Sequence, residues 1–199
     1  MDNGRTILTV ECPEPEGTVV RHVRLCHLSF ARFREIYDKI SKFKKPFNDF
    51  VPNSFESFVR IFFAAGANGE PVPQGIIYEV DDVGILFLTN LQPGKSATAH
   101  FQFWDRRFKG REELCRRMLR YAFDKFGFHR IVAEVGLYAV PEMAAVERVG
   151  FKKEGRMREA TRYQGEWFDV NLYSILEHEV EDEPAREHST ADLASHAVL

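Results

Sequence analysis

The chain has 199 residues, 44% hydrophobic and 29% charged, which is enough for one domain with a full core and no disulfide or metal staple. Its three cysteines, Cys12, Cys26 and Cys115, are odd in number and include no C-x-x-C pair, which argues against a disulfide framework and against a zinc or redox motif. The net charge is −3, no apolar run approaches the roughly 20 residues of a membrane span, and the N-terminus lacks a secretory pattern, so a cytoplasmic protein is expected.

Residues 5–26 hold two β-branched runs, RTILTVE and TVVRHVRLC, broken by Pro13, Pro15 and Gly17, and read as two strands joined by a turn. Ser29 is placed to cap a helix running from about Phe30 to Ser41. Its Phe33, Ile36, Tyr37 and Ile40 recur at i, i+3, i+4 and i+7. After a lysine-rich loop with Pro46, Asn53 or Ser54 caps a second helix. It carries Phe58, Ile61, Phe62 and Ala65 on one stripe and ends at Gly66; NGEPVPQG is then a loop.

GIIYEV, VGILFLTN and SATAHFQFW form an antiparallel meander whose near-continuous apolar character implies cover on both faces. A basic loop with one glycine follows, then a helix of about four turns that stops at Gly127. Such a strand–loop–helix aims backbone N–H groups and a helix dipole at one point. Arg106, Arg107, Lys109 and Arg111 surround that point, the layout of a phosphate cradle.

FHRIVAEVG is a further strand, Pro141 opens a short helix closed by Gly150, and residues 151–163 and 166–176 form a hairpin around Gln164 and Gly165. A helix between two strands of one sheet allows that pair to run parallel. The fold class is therefore α/β (α+β): a mixed, mostly antiparallel central sheet with helices on both faces. Residues 1–176 read as a single domain. From Glu177 onward seven acids oppose only Arg186, a balance of −6 that leaves +3 for the body. Residues 177–199 read as an acidic, disordered tail.

Three stretches carry a family resemblance: GFHRI at 127–131, ERVGFKKEGRMREA at 147–160 and GEWFDVNLYSIL at 165–176. They resemble the GNAT N-acetyltransferases, and within them the ribosomal-protein N-terminal alanine acetyltransferase branch. Glu147, Gly150, Phe151, Glu154, Gly155, Arg156, Arg158 and Glu159 match the run ahead of that branch's last hairpin, and Gly165, Trp167, Asp169 and Tyr173 continue it. The resemblance implies transfer of acetyl from acetyl-CoA to an amine, either a protein N-terminus or a small molecule, by direct attack in a ternary complex. It implies no metal and no covalent enzyme intermediate.

The resemblance further implies that a splayed strand places Phe101, Phe103 and Trp104 against the pantetheine. The loop of Arg106, Arg107, Lys109, Gly110 and Arg111 would wrap the pyrophosphate. The sequence departs from the family there, because it has the charge of the family loop without its paired small residues. It departs again where the branch has Asn and Ser, here Ala139 and Glu142, and where other branches have a tyrosine, here Val146. Tyr138 and Glu142 are the remaining candidates for acid and base. Each also fits a plain role, as an exposed strand-end tyrosine and a first-turn helix glutamate.

These departures motivate an alternative, a catalytically inactive GNAT-fold protein with a binding or structural role, of the kind that phage or mobile elements could carry. His129 and the two tryptophans read as structural. Arg111, Arg116, Arg117 and Arg120 spread around their helix, so a solvated face is favoured over nucleic-acid binding. Homo-oligomerisation or an assembly partner is left open by the sequence.

Overall fold

The computed structural model describes residues 6–14, 17–43, 46–105 and 107–180. β1 (Thr6–Glu14) and β2 (Gly17–Leu25) pair antiparallel. Ser29 Oγ accepts from the Arg32 N–H at 3.2 Å and starts α1 (Phe30–Ile40), which buries Phe33, Ile36 and Ile40. Ser54 Oγ accepts from the Ser57 N–H at 3.1 Å and starts α2 (Phe55–Phe62) in the same way.

α2 is shorter than its apolar stripe implies. Residues Phe63–Ala65 leave the helix as β3 and pair with β4 (Pro71–Pro73), so NGEPVPQG supplies a strand where a loop was expected. The chain doubles back tightly here. Gly69 adopts φ +78°, and a Cβ on Gly66 would lie 2.9 Å from Val72 Cγ2. Prolines are tolerated in such an isolated edge pair because the missing N–H can face away from the partner.

β5 (Gly75–Val80), β6 (Gly84–Gln92) and β7 (Ser96–Phe103) form the expected meander. They are followed by α3 (Arg111–Phe126), β8 (Arg130–Gly136), α4 (Val140–Val149), β9 (Lys152–Tyr163) and β10 (Glu166–Leu176). α3 ends as expected at Gly127 (φ +62°), whose N–H donates to Phe123 O. A short 3-10 turn at Glu177–Glu179 and the buried Val180 continue the packed structure beyond Leu176. The acidic-tail expectation for 181–199 lies outside the described residues.

The described strands form an eight-stranded sheet in the order β1-β2-β5-β6-β7-β8-β10-β9, with β3 and β4 apart. Every junction in the large sheet is antiparallel except β7–β8, which is the parallel pair that α3 crosses over. Leu114, Met118, Leu119, Ala122 and Phe123 of α3 pack on Ala97, Ala99, Ile131 and Ala133 on one face. Phe33, Ile36, Phe58 and Phe62 of α1 and α2 pack with Ile77 and Ile85 on the other. Each Leu, Ile, Met or Phe among them contributes about 1.5–3 kcal/mol on burial, so both helix layers are held firmly against the sheet.

Candidate active site

Only three rungs join β7 to β8: Ser96↔Arg130, Ala97↔Ile131 and Thr98↔Val132. Beyond Thr98 the strands part, while β7 stays bonded to β6 and β8 to β10 on their outer edges. Backbone N–H and C=O groups of residues 99–103 and 133–136 that face the gap therefore have no ladder partner, and such groups need one.

A cleft of ≈ 670 Å³ passes through this gap. On the α3/α4 face it is lined by Lys109, Arg111, Glu112, Glu142 and Arg148. On the α1/α2 face its walls are apolar, with Phe47, Phe58, Ile61, Phe62 and Phe87 among them.

The basic loop is anchored from below. Phe108 is fully buried and meets Phe103 edge-on at 5.3 Å, and Arg111 Nε and Nη2 donate to Phe108 O at 3.1 and 2.8 Å. Gly110 has a packing reason to be glycine: a Cβ there would lie 2.4 Å from Cys12 Cβ on β1. Glu112 and Glu113, in the first turn of α3, are both engaged by arginines. Arg148 donates to Glu112 Oε1 at 2.9 and 3.1 Å, and Arg116 and Arg117 bind Glu113. The positive end of the α3 dipole is thus restored by Arg148 from α4.

The structure brings Phe101, Phe103, Lys109, Arg111, Tyr138 and Glu142 to the cleft. It does not bring Trp104 or Arg107 there. The Trp104 indole N–H donates to Asp82 O with the Lys39 ammonium 5.1 Å from its ring, and Arg107, largely exposed, turns back to Asp105. Arg106 lies outside the described residues.

Tyr138 stacks on Tyr163 at 4.4 Å and meets Phe168 edge-on. Burial pushes its phenol pKa up, partly offset by a hydrogen bond with Asn48, so it holds its proton at neutral pH. Arg116, Arg117 and Arg120 are tied to Glu113, Asp124 and Glu177.

Two residues were missed by sequence reasoning. His100 and Glu134 lie two residues beyond the last rung on each strand, on the face opposite Ala97, Ala99, Ile131 and Ala133, and both line the cleft. The His100 ring stacks on Phe87 at 4.4 Å, its Nε2 is 3.0 Å from Thr89 Oγ1, and burial pushes its pKa down to about 4. Glu134 is exposed and has no hydrogen-bond or ion-pair partner among the described residues. Strand alternation gave their face; the splay that turns that face into a cleft wall has no sequence signal of its own.

Residues 31–172 match the family model described as acetyltransferase (GNAT) domain. The chain belongs to the GNAT acetyltransferase family. It is similar to the putative ribosomal N-acetyltransferase YdaF of Bacillus subtilis, 28% identical over 123 residues, 60% of this chain and 66% of that protein. It is also similar to the probable N-acetyltransferase YjcK of the same organism, 32% identical over 108 residues, 51% of this chain and 60% of that protein. The matched stretch thus spans less than two thirds of each of these relatives.

Among solved structures, Mycobacterium smegmatis RimJ in complex with CoA-disulfide aligns with TM-score 0.62 and 20% identity, over 87% of this chain and 89% of that one. Spermidine N-acetyltransferase from Vibrio cholerae, in complex with CoA and spermine, aligns with TM-score 0.57 and 20% identity, over 79% and 97%. At that identity the likeness shows the shared fold. No metal-holding group of His, Cys, Asp and Glu occurs among the described residues of this GNAT chain, and none of its described helices is long and apolar enough to cross a membrane.

Proposed function

We propose that the protein transfers an acetyl group from acetyl-CoA to an amine by direct attack in a ternary complex. The observation that carries this reading is the single cleft running through the splayed sheet, basic on one face and apolar with a free carboxylate on the other. Two substrates entering from opposite faces would meet in the gap.

On the basic face, Lys109, Arg111 and Arg148 at the head of α3 suit phosphates. Between the strands, the unpartnered ladder groups beside Phe101 and Phe103 suit an extended chain bearing amides, much as an added strand would satisfy them. Acetyl-CoA, when bound, supplies the thioester. Glu134 holds the ammonium of the acceptor and takes one proton, because only a neutral nitrogen can attack. That nitrogen bonds to the carbonyl carbon as the carbon–sulfur bond breaks. Tyr138 gives its proton to the departing thiolate. The second nitrogen proton leaves as the amide forms, through Glu142 at the cleft mouth, and restores Tyr138. Of the two protons the ammonium loses, one ends on the thiol and one in solvent. Most of the rate comes from placing amine against thioester.

The deciding experiment combines thiol release from acetyl-CoA, in the presence of a panel of amines, with thermal denaturation. Ligand at 100 times its dissociation constant stabilises the fold by about 2.7 kcal/mol. Amine-dependent thiol release with such a shift is expected; no shift and no release at millimolar acetyl-CoA would overturn the proposal.

A further inference from the structure

The acceptor half of the cleft has a composition that selects among amines. We infer that the acceptor is a small amine with a single positive charge on an apolar or aromatic body, its ammonium held by Glu134 and its body against Phe47, Ile61 and Phe62. The inference rests on the acetyl-transfer reading above and adds the substrate class.

Charge comes first. Three carboxylates line the cleft, and Glu112 is already held by Arg148 on the α3/α4 face. Glu142 sits in the first turn of α4 on that same side. Of the three, Glu134 lies on the strand face toward α1 and α2, without a partner among the described residues. Glu142 instead acts on Tyr138, whose phenol pKa is raised by burial and further by the Glu142 charge. His100 beside it is neutral at physiological pH and adds no charge. A second ammonium on the acceptor would face the wall formed by α1, α2 and the loop between them.

Among the described residues that line the cleft there, that wall offers the second ammonium no carboxylate. Phe58 and Phe62 are 3% and 2% exposed, with their rings spent on each other at 5.1 Å. Phe87 has His100 stacked on it at 4.4 Å and the edge-on Phe62 ring at 5.0 Å, so its π-face is not free for a cation. An ammonium left unpaired there loses its hydration without compensation. A methylene chain or aromatic ring in the same place gains from the same wall.

Size follows from the rim. The α1–α2 loop brings Pro46 and Phe47 to the cleft. It is tied to the tip of the β9–β10 hairpin by the Asp49 N–H to Arg162 O at 2.9 Å, and by the Gln164 and Gly165 N–H groups donating to the Asp49 carboxylate at 3.0 and 2.9 Å. That tie holds the loop that carries Pro46 and Phe47, so a small amine can lie on this wall with all three bonds intact.

The test is kcat/KM for thiol release with phenethylamine, hexylamine, spermidine and a hydrophilic peptide with a free N-terminus, alongside calorimetric binding of acetyl-CoA alone. Phenethylamine and hexylamine are expected to exceed spermidine and the peptide roughly tenfold or more, mostly through KM. Glu134→Gln should lower kcat/KM for phenethylamine with acetyl-CoA affinity unchanged. Ile61→Glu, which adds a second carboxylate to the wall, should raise the ratio of spermidine to phenethylamine. Preference for spermidine or the peptide in a protein that binds acetyl-CoA would overturn this inference and leave acetyl transfer standing. Failure to bind acetyl-CoA would overturn both.

Discussion

Asp49 and Gly165 lie 116 residues apart in sequence and are joined, the Gly165 N–H donating to Asp49 Oδ2 at 2.9 Å. Oδ1 of the same carboxylate accepts from the Gln164 N–H, so one side chain caps the hairpin turn from the α1–α2 loop. Asp49→Ala would release both amides to water at an exposed turn, costing on the order of 1–2 kcal/mol. The expected kinetic outcome is a several-fold rise in acceptor KM with acetyl-CoA affinity unmoved. An unchanged KM would show that the bridge does not shape the acceptor half.

Glu112 and Arg148 bear on the opposite half. A carboxylate in the first turn of α3 satisfies the dipole that a phosphate would otherwise use, and Arg148 compensates by binding it. Glu112→Gln should free Arg148 and the helix end together. The dipole contribution of about 0.3–1 kcal/mol corresponds to coenzyme A binding roughly two- to fivefold tighter, measured by calorimetry at low salt. Weaker binding in the variant would mean that Glu112 serves to position Arg148.

Much of this was legible in the sequence because period and punctuation agreed. α3 keeps Leu114, Met118 and Ala122 four apart and stops at Gly127, and the meander's near-continuous apolar runs are bounded by turns, so both elements formed where expected. The end of α2 was not legible. Phe63 to Ala65 carry no breaker, and only their pairing with Pro71–Pro73 pulls them out of the helix. Among site residues, Phe101 and Phe103 followed from the strand, but Trp104 was misplaced because it falls on the opposite face, where Asp82 O takes its N–H. Glu134 was invisible for a related reason: in RIVAEVG it is an ordinary solvent-facing position until β7 departs from β8.

Gly110 separates two explanations for one residue. Its φ of −78° is open to any amino acid, so a change to alanine carries no left-handed backbone cost. The obstacle is Cys12, with Cβ 2.4 Å and Cα 3.0 Å from the added methyl. Gly110→Ala should cost about 1–3 kcal/mol by overpacking, read from urea denaturation without ligand. Adding Cys12→Gly should recover part of that loss. If the single variant were as stable as the parent and only coenzyme A binding fell, the glycine would be serving the phosphate instead.

Tyr138 is expected to act as an acid. Burial raises its pKa above the usual phenol value, so the protonated form persists through neutral pH and activity should fall only as pH rises past that raised value. Tyr138→Phe keeps the ring stacked on Tyr163 and removes the proton. A drop in kcat of about 10- to 100-fold is the expected result, with stability lowered by no more than about 0.5–1.5 kcal/mol for the lost hydrogen bond with Asn48. A drop below tenfold would move the acid role elsewhere.

His100 makes stability depend on pH in a defined window. Unfolded, its imidazole takes a proton near 6.5; folded, it does so only at about 4. Between those values the unfolded state binds more protons, so stability rises with pH and is lost on acidification from 6.5 toward 4. The full difference is on the order of 3 kcal/mol. Glu154, lowered first by its hydrogen bond with Arg130, and Asp169, lowered first by the Glu159 amide, begin to withdraw their contributions only as pH falls below 4.5 and 3.8. The upper part of the window therefore belongs largely to His100. His100→Gln should flatten urea-derived stability between pH 6.5 and 4.5 relative to the parent. Parallel curves for the two proteins would show that this imidazole is not held neutral by the fold.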